Sequence, residues 1–386
     1  MKTLNAGIVG TGFIGGRHMD AIQRIPGARI GAVVDADGAK AAEIARELGS
    51  NFYTDVDDML KKEDLDVVHN CTPTNMHYPI NEKVIWAGIH LYCEKPLALS
   101  GQEGERLLEL LKEHPVANGV NLNYRMNALV QDMCQRVKRG EYGRPFLVTG
   151  SYIQDWMMKE DDYDWRLDPG AGGASRAVAD IGSHLFDTSQ FVMGKRITAV
   201  NAHLTTVHPV RQQYEKTGGT FSKEKGRLLR EVTVVNEDAA SIMVRFEDGT
   251  DGLFQVSQVS AGHKNDMRLR FDFENCSQEW RQEEGNLLYI GRRDEPNQIL
   301  HREGAALTPE AAVFTGLPSG HPEGWNDGLY QAIRAFYQSV RDGSYREGAV
   351  PYATIREGAW IMKIIEACLA SHRQGQWIDV QTGESL

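Results

Sequence analysis

Six residues, Gly10-Thr11-Gly12-Phe13-Ile14-Gly15, constrain this chain more than any others. They follow the apolar run at 4–9 without a spacer and open a helical stretch that reaches about Ile25. Gly10 permits the tight turn, Gly12 lets backbone approach a pyrophosphate, and Gly15 lets the helix pack close to the strand, with the helix N-terminus favouring phosphate charge. A glycine pattern of this kind is weak alone, and its specificity comes from the strand before it, the helix after it and Asp35. Asp35 lies 20 residues past Gly15, at the end of a second apolar run at 29–34. A carboxylate there accepts hydrogen bonds from the adenosine ribose hydroxyls of a dinucleotide. No Arg or Lys separates Asp35 from Lys40, and Asp37 adds a second negative charge. A 2′-phosphate is repelled by that pair, so the expected cofactor is NAD in preference to NADP. The alternative, a glycine turn without a ligand, leaves the spacing a coincidence.

Strand and helix alternate through the first third. Helical patterns at 39–48, 78–87 and 101–112 separate strand patterns at 66–71, 90–93 and 116–120, which predicts an α/β fold with a parallel sheet covered on both faces. After about Asn123 the texture changes to stretches of alternating polarity at 148–154, 199–207, 239–246, 252–259 and 268–273, with turn signals at Asp248-Gly249 and Glu284-Gly285. The expected division is a dinucleotide-binding domain over 1–123 and a second, sheet-based domain over 124–386. Residues 211–230 are polar, with Thr217-Gly218-Gly219-Thr220 among them, and read as a long excursion or flexible loop. Two amphipathic helices close the chain, through Leu329, Ile333, Phe336, Tyr337 and Val340, then Ile361, Ile365, Cys368 and Leu369. Thr354 and Glu357 form a capping box before the second. Their apolar stripes read as core, free to pack back on the first domain.

Composition excludes several classes. Lys plus Arg number 42 against 53 Asp plus Glu, a net charge of −11 that opposes nucleic acid and anionic membrane surfaces. Five cysteines without a CxxC pair argue against a disulfide framework or thiolate zinc site and fit a reducing cytoplasm. No apolar run is long enough to span a bilayer, and the N-terminal segment is too glycine-broken for a signal peptide. His18, His77, His184 and His263 are scattered without metal-ligand spacing, so no metal is expected, and no GxSxG marks a serine nucleophile.

Two further segments fall where strands of the parallel sheet should end, the usual place for a ligand. They are Cys71-Thr72-Pro73-Thr74-Asn75-Met76-His77 and Glu94-Lys95-Pro96-Leu97. A solitary Lys-Pro is ordinarily a surface turn. Taken with Asn123-Tyr124-Arg125 and with Gly172-Gly173 running on to Asp180-Ile181-Gly182-Ser183-His184, the glycine turn and these segments resemble the glucose-fructose oxidoreductase, inositol dehydrogenase and MocA (Gfo/Idh/MocA) superfamily over essentially the whole chain. The resemblance implies a Rossmann domain followed by an α/β domain with a large, open-faced, mostly antiparallel sheet, and a carbohydrate or polyol substrate. It implies catalytic roles for Lys95, Asp180 and His184, and a cis peptide before Pro96. Thr72, Pro73, His77, Glu94, Lys95 and Asn123 join Gly10, Gly12, Phe13, Ile14, Gly15 and Asp35 as expected cofactor residues. It also implies a homodimer or homotetramer formed through the second sheet, a face for which Ile242, Val244 and Phe246 are candidates.

The chemistry has its own logic. Oxidising a secondary alcohol needs a base whose pKa lies near the working pH, which histidine supplies. On a helix Asp180, His184 and Asp187 share one face beside the apolar Ile181, Leu185 and Val192, so Asp180 is placed to orient His184 or the substrate. A Lys95 ammonium stabilises developing alkoxide. The plain alternative for His184 is a hydrogen-bonded helix histidine. Trp156, Tyr163-Asp164-Trp165-Arg166 and His321-Pro322-Glu323-Gly324-Trp325 suit a sugar ring and its hydroxyls, or else serve as core or oligomer contacts. Arg125 and Arg166 are candidate substrate contacts, and Arg166 alone does not establish an anionic substituent. Three functions are compatible with these residues: an NAD-dependent dehydrogenase of a sugar, glycoside or polyol; an NAD-dependent glycosidase working by oxidation, elimination, hydration and reduction; and a non-catalytic NAD-binding sugar sensor.

Overall fold

The computed structural model describes residues 3–216 and 225–384. The chain divides into two units, Met1–Met126 with Asn326–Met362, and Asn127–Trp325 with Lys363–Leu386. Each unit therefore draws on two stretches of sequence, although the change of texture lies near Asn123.

The first unit holds a six-stranded parallel sheet made of β1 (Leu4–Val9), β2 (Ala28–Val34), β3 (Asn51–Tyr53), β4 (Val67–Asn70), β5 (His90–Cys93) and β6 (Asn118–Val120), in the order β3-β2-β1-β4-β5-β6. Every residue of β1 and β4 is buried, the pattern of strands covered on both faces. The connecting helices are α1 (Phe13–Gln23), α2 (Gly38–Leu48), α3 (Val56–Lys62), α4 (His77–Trp86) and α5 (Gly101–Glu113). Local chemistry sets their ends. Asp37 accepts from the amides of Ala39 and Lys40 to start α2, and Gly49 ends it in the left-handed region at φ +64°. β3 and α3 have no counterpart in the sequence reading, because three and seven residues are too few to show a period. The strand order reverses between β1 and β4, which makes their C-terminal ends the switch point where ligands bind in such sheets. Two later segments complete this unit: the helix Trp325–Asp342, and residues 353–355, where Val120 N donates to Ala353 O at 2.8 Å and Ile355 N to Asn118 Oδ1 at 2.9 Å. The capping box is present, with Thr354 N donating to Glu357 Oε2 at 2.7 Å.

The second unit is built on a nine-stranded sheet. Its strands are β7 (Pro145–Ile153), β8 (Ile197–Thr205), β11 (Ala239–Phe246), β12 (Asp251–Ser257), β13 (Asp266–Phe273), β14 (Ser277–Arg281), β15 (Leu287–Gly291), β16 (Gln298–His301) and β17 (Ile378–Asp379), with a separate ribbon of β9 (Val210–Lys216) and β10 (Lys225–Thr233). The order is β16-β15-β14-β13-β7-β12-β11-β8-β17, antiparallel at every pairing but β12 with β7. The short helix α7 (Pro169–Gly172) precedes α8 (Ser183–Met193), which packs with α6 (Ala128–Lys138) and lies against β7 and β13.

Two expectations are corrected here. Residues 210–216 and 225–233 pair as the antiparallel ribbon, so the polar stretch is not a plain loop, while Thr217-Gly218-Gly219-Thr220 lie outside the described residues. Ile242, Val244 and Phe246 are fully buried in the chain's own core, and Ser241, Met243 and Arg245 occupy the opposite, exposed face of β11. A one-residue step along a strand changes the face, and the apolar set is the one the sheet needs for its own helices.

Candidate functional site

The glycine turn has the shape that a dinucleotide requires. Gly10 has φ +89°, and a Cβ on it would lie 2.7 Å from Cys71 O; a Cβ on Gly15 would lie 2.1 Å from Gly10 O. A Cβ on Gly12 would meet nothing within 4 Å, and Gly12 and Phe13 are exposed, with Ile14 half-buried behind them. Open space at the first turn of an 11-residue helix is where a pyrophosphate fits. Asp35 accepts from Thr11 Oγ1 at 2.5 Å, Thr11 N at 3.0 Å, Asp37 N at 3.1 Å and Lys40 Nζ at 3.2 Å. Burial pushes its carboxyl up, but the bonds from Thr11, Asp37 and Lys40 outweigh that and bring its pKa down to about 2. Asp35 is therefore charged at neutral pH. Lys40 stands on Asp35 itself, yet one lysine beside Asp35 and Asp37 leaves the neighbourhood negative.

The two strand-end segments lock to one another. His77 is buried with Nδ1 2.7 Å from Pro96 O and Nε2 2.8 Å from Thr72 O, bridging the loop after β4 to the loop after β5. Both ring nitrogens thus face main chain, so His77 fixes loops carrying Thr72, Pro73 and the cis Lys95-Pro96 peptide. Glu94 is also buried. Its Oε1 takes His18 Nε2 at 2.9 Å and Asn121 Nδ2 at 2.5 Å, and its Oε2 takes the amide of Lys95 at 3.2 Å. Burial raises the Glu94 carboxyl, and the His18 bond and charge, Lys95 and Asn121 more than reverse this. The chain continues inward from His18 Nδ1 to His69 Nδ1 at 2.9 Å and from His69 Nε2 to Tyr337 Oη at 3.1 Å. Burial, with His18 beside it, holds His69 well below the usual imidazole range. An ionised Glu94 only accepts, so His18 donates to it through Nε2. Asn123 and Arg125 follow β6 in a buried 3₁₀ turn.

In the second unit Asp180 sits in a π-helical turn, Val178–Gly182, that runs directly into α8 with His184 in its first turn. The regular i, i+4 spacing expected for the pair is thus locally widened, a distortion common at functional sites. His184, Leu185 and Asp187 are all buried. The His184 ring lies 6.1 Å from that of Tyr152, which joins a chain from Tyr152 Oη to Asn265 at 2.5 Å, from Gln154 Nε2 to Asn265 at 3.0 Å and from Trp156 Nε1 to Gln154 at 2.9 Å. Arg166 reaches Asp180 Oδ1 at 3.4 Å and Asp164 Oδ1 at 3.0 Å, over the Trp165 ring at 4.5 Å and the Trp156 ring at 5.9 Å. Its charge is balanced by two carboxylates, which disfavours a role in binding an anionic substituent. The segment 321–325 is occupied internally, since Arg302 donates to His321 O at 2.6 Å and Glu323 Oε1 takes the amides of Gly316 and Leu317.

Sequence reasoning missed His18, His69, Asn121 and Tyr337 around Glu94, and Arg176 and Gln258 around Asp180. His18 left a signal, a polar residue on the buried stripe Gly15, Met19, Ala21 and Ile22 of α1; Gln258 left none. Among the described residues no three His, Cys, Asp or Glu side chains are grouped to hold a metal, all five cysteines are free and buried, and no helix is long and apolar enough to cross a membrane.

A parallel sheet with an open glycine turn at its switch point, backed by a charged Asp35, defines a dinucleotide-binding protein. Residues 4–122 match the oxidoreductase family with an NAD-binding Rossmann fold, and residues 130–277 match the GFO/IDH/MocA C-terminal domain. The chain belongs to the Gfo/Idh/MocA oxidoreductase family. It is 27% identical over 401 residues to levoglucosan dehydrogenase of Pseudarthrobacter phenanthrenivorans, covering 98% of this chain and 99% of that one. It is 28% identical to scyllo-inositol 2-dehydrogenase (NAD(+)) of Bacillus subtilis, over 87% of this chain and 86% of that one. The crystal structure of an oxidoreductase domain protein from Kribbella flavida superposes with a TM-score of 0.87 at 25% identity, covering 98% of this chain and all of that one. A levoglucosan dehydrogenase complex with NADH and levoglucosan shares the fold at a TM-score of 0.84 and 24% identity, over 98% and 99% of the two chains.

Proposed function

We propose that this protein is an NAD-dependent dehydrogenase oxidising a secondary alcohol of a sugar, glycoside or polyol, with Lys95, Asp180 and His184 serving the reacting carbinol. The carrying observation is the setting of Lys95, which follows β5 beside the switch point and whose amide is tied to a carboxylate that His18 and Asn121 hold from within. A side chain leaving such an anchor is pre-organised, which electrostatic stabilisation of an alkoxide needs. Relatives named for levoglucosan and scyllo-inositol support the substrate class.

Bound NAD supplies the hydride acceptor. The protein's own groups do the rest: the first-turn amides of α1 bind phosphate, Asp35 bonds the adenosine ribose, and Thr72, Pro73 and Asn123 complete the cofactor site, with His77 and Glu94 positioning its loops. His184 takes the hydroxyl proton, Asp180 orients it, and Lys95 stabilises the oxygen that loses it. Trp156, Trp165, Arg125 and Arg166 contact the substrate. Asp35 and Asp37 favour NAD over NADP. The five buried thiols accord with a reducing cytoplasm, and the exposed sheet face accords with a homo-oligomer.

A panel of sugars, glycosides and polyols, read by nicotinamide absorbance and product chromatography, tests the proposal. Stoichiometric NADH with a keto product is expected, and Lys95→Ala should lower turnover by orders of magnitude while melting temperature and NAD affinity stay near wild type. Aglycone release without net NADH would replace the dehydrogenase by the glycosidase. Inactivity across the panel would leave the sensor.

A further inference from the structure

We infer that Gln258 is a positioning residue for the reaction, holding Asp180 in one orientation as a carboxylate from a buried arginine hub. The inference rests on the reading of Asp180 as a site residue. Gln258 follows β12 and is fully buried. Its Oε1 accepts from Arg176 Nη1 at 3.1 Å, and its Nε2 donates to Asp180 Oδ2 at 2.8 Å. An arginine only donates, so the amide has no freedom to flip: its oxygen must face Arg176 and its nitrogen must face Asp180. The group opposite that nitrogen has to accept, and a donor aimed at a carboxyl oxygen favours the ionised form over the acid.

The far side of Gln258 is rigid. Arg176 and Arg211 both bind Asp238 Oδ1, Arg211 at 2.7 Å, and all three side chains are fully buried. Asp238 Oδ2 takes the amides of Val207 and His208 at 2.6 and 3.1 Å, and Arg211 donates to the carbonyls of Met157, Lys159 and Asp162. The hub thereby ties the ribbon strand β9 and the loop before Tyr163 to one point. It holds two guanidinium charges against the single Asp238 carboxylate, and the Gln258 dipole points its positive end at Asp180. The other charged groups around Asp180 are Arg166 on Oδ1, Asp164 behind Arg166, Glu237 on the Ser175 hydroxyl and the amides of Arg176 and Val178, and His184 one turn onward. Gln258 joins the Asp180 side chain to the hub, and its own backbone amide donates to Asp238 O at 2.9 Å.

Gln258→Met and Gln258→Glu test this in the full-length protein, with NAD as cofactor and an active polyol from the panel. Gln258→Met removes the bond to a charged group at similar volume. It should lower kcat about 10- to 100-fold, with KM and NAD affinity little changed. Gln258→Glu keeps an acceptor for Arg176 but sets a second carboxylate against Asp180, and the acid limb of kcat should move up by about one pH unit or more. A purely structural residue would not move that limb. If Gln258→Met stays within about twofold of wild-type kcat and the Gln258→Glu acid limb is unmoved, the inference is wrong. If Gln258→Glu does not fold, combining it with Asp180→Asn reverses the donor and acceptor, and the pair should recover folded protein; failure to recover it overturns the inference. Asp180→Asn alone separates the two readings, because full turnover in that variant removes Asp180 from the proposed mechanism, whereas the paired substitution still tests the bond.

Discussion

Asp35 stays charged because it collects four donors just past the C-terminal end of β2, and this gives it a pH signature. Its folded pKa of about 2 lies below the ordinary 3.8, so its stabilising contribution is complete above about pH 4 and is lost as pH falls through about 2. The melting-temperature difference between wild type and Asp35→Asn should be flat from about pH 8 to 5 and close near pH 2. A difference that closes already at about pH 5 would mean that Asp35 is not held by these bonds. Asp35→Ala should also weaken NAD binding far more than NADP binding in parallel titrations, by about tenfold or more in the ratio for a lost charged hydrogen bond. A wild type that prefers NADP would reverse the reading of Asp35 and Asp37.

The turn from Val178–Gly182 into α8 shows what an element adds to its residues. Glu237 takes the amides of Arg176 and Val178 at 3.0 and 2.9 Å, and burial pushes its carboxyl up. The widened π turn thus begins on a buried acceptor, then passes Asp180 and delivers His184 into α8. A base must be unprotonated before it takes the alcohol proton, so oxidation should fail on the acid side as His184 titrates. His184→Asn should bind NAD normally, lose about 100-fold or more in kcat and lose the acid limb, measured as a pH–rate profile at residual activity. An acid limb that survives unchanged would pass the base role to another group, Lys95 first.

From β8 to β16 of the second sheet, register places one outward-facing row in line: Asn201, Met243, Leu253, Thr149, Arg270, Glu279, Tyr289 and Ile299, with Asn201, Thr149 and Glu279 half-buried. Met243, Leu253, Tyr289 and Ile299 are 44%, 52%, 41% and 61% exposed, an apolar content that a water-facing sheet does not need. If this face joins two copies, as the proposed homo-oligomer requires, Met243→Asp with Leu253→Asp should yield monomers in sedimentation while NAD affinity holds. Unchanged sedimentation would move the interface elsewhere.

The glycine turn, Asp35, the parallel sheet and the alternating strands were legible in sequence because each depends on neighbours in the chain: a spacing, a period of two, a cap. Local rules also marked the capping box at Thr354 as a helix start, whereas Lys95, Asp180 and His184 were singled out through the family resemblance. What they could not reach was pairing at long range. Which face of β11 is covered depends on helices far along the chain, so Ile242, Val244 and Phe246 went to the core. The ribbon strands at 210–216 and 225–233 show no strong alternation, since they are largely polar and gain their order from cross-strand bonding and the buried Arg211. His18 and Glu94 are 76 residues apart, as Gln258 and Asp180 are 78 apart. Such bonds form only because folding removes water from both partners and obliges each buried polar group to find another, and no local pattern records which one it finds.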